Sequence, residues 1–190
     1  MIICIDGVNG VGKSTVIKQL QEKLPTVSFA RLPGWSGSKT CQGIRDLLDS
    51  NDLDKFTRLH LFIADMNEFI NKHDPSKVWI VDRSFISTFV YQTMEGIVST
   101  DIHYALLPII DKFDYLVLLH GDPKLLQARM DNRNTRTLKP YTNIDIETYQ
   151  NEYFKWSEIY FSGRRLIVDT SKFDVDEICN QIIEFVRNKQ

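Results

Sequence analysis

Eight consecutive residues near the start of the chain, Gly7-Val-Asn-Gly-Val-Gly12-Lys13-Ser14, have the types and spacing that hold phosphate, with Thr15 beside them. Glycines let successive backbone N–H groups turn inward around anionic oxygens with no Cβ in the way. An apolar strand precedes the segment and a helix follows it, so the positive end of that helix faces the same anion. Lys13 adds a point charge for the terminal phosphates, and the Ser14 hydroxyl suits Mg2+. The spacing predicts that Gly7, Asn9, Gly10, Val11, Gly12, Lys13, Ser14 and Thr15 bind a nucleoside triphosphate.

A second group of charged residues falls where ligands sit in open α/β sheets, beyond the carboxyl ends of the strands. The apolar run Val78-Trp-Ile-Val81 delivers Asp82 and Arg83 there, and Tyr91-Gln92 follow on the next helix. Arg31-Leu-Pro-Gly34 leaves the second strand on the same edge.

The elements that must position these residues alternate. Ile2–Ile5, Val27–Ala30, Val78–Val81, Tyr115–Leu119 and Leu166–Val168 read as short buried strands. Helical spacing is expected over Thr15–Leu24, Gln42–Leu48, Phe85–Met94, Tyr104–Ile110, Pro123–Met130 and Ile144–Tyr160. Phe56, Leu59, Ile63, Met66 and Ile70 recur at three- and four-residue steps on one further helix, and Val175, Ile178, Ile182 and Val186 mark a closing one. Pro108 should kink or interrupt its segment. The polar stretch Asp131–Thr142 reads as irregular. Strands alternating with helices predict an α/β fold whose five-stranded parallel sheet is flanked by helices.

Composition limits the classes. The 190 residues suit one domain, 1–190, and 43% are hydrophobic. Twenty-three basic residues against 25 acidic ones give a net charge of -2, which lacks the electrostatic footprint of a nucleic-acid binder. No run is long and apolar enough for a membrane span, and the first residues lack the pattern of a signal peptide. Cys4, Cys41 and Cys179 are scattered, as expected of reduced thiols in a cytoplasmic protein.

Asp82-Arg-Ser-Phe-Ile-Ser87-Thr88-Phe-Val-Tyr91-Gln92, Arg31-Leu-Pro-Gly34 with Ile44-Arg45-Asp-Leu-Leu48 behind it, and Leu61-Phe62-Ile-Ala64-Asp65 occur in this order at family-like distances. Together with the phosphate loop they make the chain resemble the thymidylate kinase family over nearly its whole length. The resemblance implies the P-loop NTPase fold, a short lid at about 131–143, and ATP- and Mg2+-dependent phosphoryl transfer to a deoxynucleoside monophosphate such as dTMP. It further implies that Arg31 and Arg83 clamp the acceptor phosphate and that Asp82 organises Mg2+. Phe62 would stack on the base, Tyr91 would press on the sugar, and Thr88 would meet the base edge. Arg129 would lie against adenine, and Val168-Asp-Thr-Ser171 resembles the loop that borders it. The phosphate loop has no basic side chain before Lys13, so Arg133 and Arg136 of the lid are the candidates to supply charge to the transferring group. A homodimer is also implied. The stripe from Phe56 to Ile70 suits either its interface or the interior.

Two positions depart from the family pattern. Asn9 stands where a carboxylate is usual, and Met66 where an arginine would bond the thymine edge. Losing such a charged donor forfeits on the order of 1.5–3 kcal/mol of base recognition unless Gln92 or Thr88 substitutes. Two other classes share parts of this pattern. A deoxynucleoside kinase shares a motif like Asp82-Arg83-Ser84, but its hydroxyl acceptor needs a carboxylate base where this chain has Arg31 and Leu32. A non-catalytic nucleotide switch would not need Lys13, Ser14, Asp82 and the lid arginines together.

Overall fold

The computed structural model describes residues 1–50, 52–132 and 145–189. Five parallel strands form one sheet in the order β2-β3-β1-β4-β5: β1 Ile2–Asp6, β2 Ser28–Arg31, β3 Trp79–Asp82, β4 Tyr115–His120 and β5 Arg165–Asp169. The central strand β1 is buried along its whole length, as a sheet covered on both faces requires. Eight helices connect or flank the strands among the described residues: α1 Lys13–Lys23, α2 Lys39–Asp49, α3 Lys55–Lys72, α4 Phe85–Met94, α5 Ser99–Ile110, α6 Pro123–Asp131, α7 Ile146–Phe161 and α8 Val175–Arg187. Helices α1 and α8 pack as a pair, while α4 packs against α3, α5 and α7.

Capping side chains explain half of the helix starts, those of α3, α4, α6 and α8. Asp54 accepts from the N–H groups of Phe56 and Thr57, Asp122 caps α6 ahead of Pro123, and Asp174 with Glu177 forms a capping box on α8. Helix α5 begins five residues before the expected Tyr104. Pro108 lies inside it without ending it, on a turn where Tyr104 and Leu107 are exposed. Of the apolar stripe on α3, Leu59 and Met66 are in the core and Phe56 is half exposed. No helix among the described residues is long and apolar enough to cross a membrane.

Register sets the geometry of the site. Arg31 pairs with Asp82 across β2 and β3, and Asp82 pairs with Ile5 across β3 and β1. The ends of three strands therefore bring the two charged segments to the edge from which the phosphate loop springs.

Candidate active site

The phosphate loop connects β1 to α1, and its glycines are enforced by what surrounds them. Gly7 has φ 140°, and a Cβ there would come 2.2 Å from the Leu119 carbonyl oxygen of β4. Gly10 has φ 87°, with the Leu126 carbonyl oxygen of α6 2.8 Å from the same virtual position. Side chains at either point would be strained and would push the loop off its backing. Lys13 begins α1 and is buried, donating to the carbonyl oxygens of Gly7 (2.6 Å) and Val8 (2.9 Å). Ser14 and Thr15 stand exposed at the same helix start.

Arg83 links the loop to the second charged segment. It is the only non-glycine with positive φ among the described residues, at 75°, a left-handed conformation that costs an L-residue on the order of 1–2 kcal/mol. Its N–H donates to the Ile5 carbonyl oxygen (3.0 Å), which fixes the turn between β3 and α4. The guanidinium then reaches Asn9 Oδ1 (2.9 Å) and Ser87 Oγ (3.1 Å) and lies 5.7 Å from the centre of the Tyr91 ring. Burial works against the charge, yet Tyr91, Tyr153, Asp82 and Asp6 outweigh it and leave the guanidinium harder to deprotonate than usual. Across β2, Arg31 has a side chain 64% exposed with Nε 3.9 Å from Asp82 Oδ2. Asp82 itself is buried, and its Oδ1 has no hydrogen-bond partner.

Beneath this edge lies a network that the sequence did not reveal. Asp6, fully buried at the end of β1, accepts from Ser84 Oγ (2.5 Å) and Ser87 Oγ (2.5 Å), and Ser87 Oγ also bonds Tyr153 OH (2.8 Å). Ser84 additionally accepts from the Ile86 N–H as the cap of α4. Burial raises the Asp6 carboxyl above the ordinary range, and the two serine hydroxyls, Arg83 and Lys13 oppose that rise. A charged residue closing an apolar strand just before a glycine loop was the available signal for Asp6. Tyr153 gave none, because it arrives from α7 through tertiary packing alone.

Thr88, Tyr91 and Gln92 lie on one face of α4 and are buried. Tyr91 packs against Tyr149 and Tyr153 of α7, with ring centres 5.3 and 6.4 Å away. Phe62 on α3 is half-buried against the core, and Met66, one turn further, is buried. On the donor side, Arg129 near the end of α6 donates to Thr170 Oγ1 (3.3 Å) and to its carbonyl oxygen (3.2 Å), inside the segment 168–171. Arg133, Arg136 and most of the expected lid lie outside the described residues.

The arrangement suits two anions: main-chain amides and Lys13 on one side, Arg31 and Arg83 on the other, with Asp82 between strands that carry both. Among the described residues no three His, Cys, Asp or Glu side chains cluster as a metal site. The thymidylate kinase family model matches residues 5–182. A thymidylate kinase of Campylobacter fetus is 32% identical over 94% of this chain and 91% of its own. One of Mycoplasmoides gallisepticum is 25% identical over 100% and 97%. The crystal structure of thymidylate kinase from Ehrlichia chaffeensis superposes with a TM-score of 0.72 at 23% identity, covering 98% of each chain, and so shares the fold. With a family model matched across nearly its full length and a relative 32% identical over most of both chains, this chain belongs to the thymidylate kinase family.

Proposed function

We propose that the chain transfers the γ-phosphoryl group of ATP to dTMP, giving ADP and dTDP. The observation that carries this reading is the pair of guanidiniums at the strand ends, with Arg83 bonded to the phosphate loop itself. An acceptor phosphate is already a nucleophile, so no general base is needed, and Arg31 occupies the place where a hydroxyl acceptor would require one. Arg31 and Arg83 grip the acceptor and offset its charge as it approaches the anionic donor. Lys13 moves from its carbonyl partners to the terminal phosphates, and the loop amides hold the rest of the donor. Thr88, Tyr91, Gln92 and Phe62 enclose the acceptor base and sugar, while Arg129 with Thr170 borders adenine. Arg133 and Arg136 are the candidates to supply charge to the transferring group.

Ser14 is exposed at the start of α1, and Asp82 buries a carboxylate oxygen without a partner. Such all-oxygen donors in small number fit Mg2+, which keeps several waters and takes one or two protein ligands beside phosphates. When bound, that ion would neutralise charge on the bridging and terminal oxygens. Exposed Leu47, Phe56, Tyr104 and Leu107 on neighbouring α2, α3 and α5 support a homodimer, which sedimentation of the purified chain tests. Buried, unbridged Cys4, Cys41 and Cys179 fit a cytoplasmic location.

An ADP-release assay across the common deoxynucleoside monophosphates and free thymidine tests the reaction. Turnover of dTMP is expected. Turnover of thymidine but not of dTMP would replace this reading with that of a nucleoside kinase. Because Met66 supplies no charged donor, dTMP should lead the other pyrimidine monophosphates by less than the ~10–150-fold that one such bond supports.

A further inference from the structure

We propose that Asp65 of α3 is a positioning residue for the acceptor phosphate: through the Gly34 N–H it holds the segment that carries Arg31 at the strand edge. This rests on the reading of Arg31 as an acceptor ligand.

Asp65 is completely buried, and its Oδ1 accepts from the Gly34 N–H at 3.0 Å. Its other oxygen, Oδ2, is buried with no hydrogen-bond partner. A carboxylate at a packed site with half its capacity unused is a poor choice for packing alone. Its one strong bond goes to the segment Arg31–Gly34. That segment is tied at its start by the Leu32 N–H, which donates to the Asp82 carbonyl oxygen (3.0 Å). Beyond Gly34, Trp35 packs edge-on against Phe69 and Trp79, and Ser38 Oγ donates to Glu68 Oε1 (2.6 Å). Between those anchors, the hydrogen bond to Asp65 sets where the backbone of the segment lies. Gly34 has φ 100°, and a Cβ on it would come 3.0 Å from Arg45 Cβ, so the turn is seated closely between α2 and α3.

The groups facing Asp65 are the Gly34 N–H from the loop, Cys41 and Arg45 from α2, and Glu68 from α3. Burial pushes the carboxyl up to about 6; the Gly34 bond, Cys41 and Arg45 pull it down, and Glu68 adds to the rise. A charged acceptor makes the stronger bond, so the hold on Gly34 weakens as pH falls through that value. Acceptor binding should therefore carry a pH dependence set away from the reacting atoms.

The test uses the full chain with Asp65→Ala and Asp65→Asn, measuring kcat and both KM values from about pH 5 to about pH 8. Asp65→Ala is expected to raise the dTMP KM about tenfold, the scale of one hydrogen bond to a charged group, with kcat and the ATP KM unchanged. Asp65→Asn, which keeps an acceptor oxygen but no titrating proton, should recover much of the KM at neutral pH and flatten its rise in acid. An unchanged dTMP KM in folded Asp65→Ala would overturn the proposal, as would equal losses in kcat and both KM values. Should Asp65→Ala fail to fold, an Asp65→Asn profile that follows the wild type through acid would overturn it instead. Arg31→Ala separates the two readings. If it leaves the dTMP KM unchanged, the role of Arg31 fails; if it raises that KM while Asp65→Ala does not, only the present proposal fails.

Discussion

The two halves of the candidate site are built by opposite means. The proposed donor side is eight consecutive residues whose main chain would make the site, with side chains excluded at Gly7 and Gly10 by the neighbouring carbonyls of Leu119 and Leu126. The proposed acceptor side is made of side chains from distant segments: Arg31 at the end of β2, Asp82 and Arg83 at the end of β3, and Asp65 of α3 behind them. A main-chain cradle is set by local conformation and changes little with sequence elsewhere. A side-chain clamp depends on every element that holds its arginines, so it can be retuned from several places.

Four substitutions press on that contrast. Lys13→Ala removes the only charged side chain of the donor loop and should lower kcat on the order of 100–1,000-fold; a loss below tenfold in the ADP-release assay would instead favour a non-catalytic nucleotide binder. Arg31→Ala should raise the KM for dTMP ~10–100-fold and spare that for ATP, since a bond to a charged group contributes about 1.5–3 kcal/mol. Equal effects on both substrates would mean that the two sides are not separable.

Asp65→Asn gives a stability signature. The wild-type carboxyl titrates at about 6 when folded, above its ordinary value in the unfolded chain. Its favourable contribution is therefore complete below about pH 4 and is lost as pH rises through about 6. Thermal melts should show the variant gaining on the wild type across that window, by on the order of 3 kcal/mol. A constant difference would place the Asp65 carboxyl in an ordinary environment. Gly10→Ala should have the smallest effect, lowering stability by about 1–2 kcal/mol through its left-handed backbone, and should raise the ATP KM alone. A matching rise for dTMP would show the donor loop shaping the acceptor side through Asn9 and Arg83.

The same contrast decides what could be read in advance. The phosphate loop was legible because its chemistry is contiguous, and α4 was placed at its observed bounds because Ser84 caps it and the apolar run stops at Met94. Asp82, Arg83 and Arg31 were legible as strand-end residues, since a parallel sheet delivers every strand end to one edge. Asp6, Ser87 and Tyr153 were not, because their bond network joins β1, α4 and α7 and leaves no spacing in any one segment. The start of α5 was missed for a local reason: Val98 caps it without a side-chain hydrogen bond, and Pro108 suggested a break that the helix absorbs. Asp65 was noticed only as part of a pattern, and its bond to Gly34 spans 31 residues.

The close approach of Leu119 and Leu126 to the glycines has a consequence for how the molecule comes into being. A nascent chain cut short ahead of β4 already contains the entire phosphate motif and the Arg83 that bonds Asn9, yet lacks the carbonyls that back Gly7 and Gly10. The full backing of the loop is thus complete only once roughly two-thirds of the polypeptide has been made, although its recognisable signature emerges first.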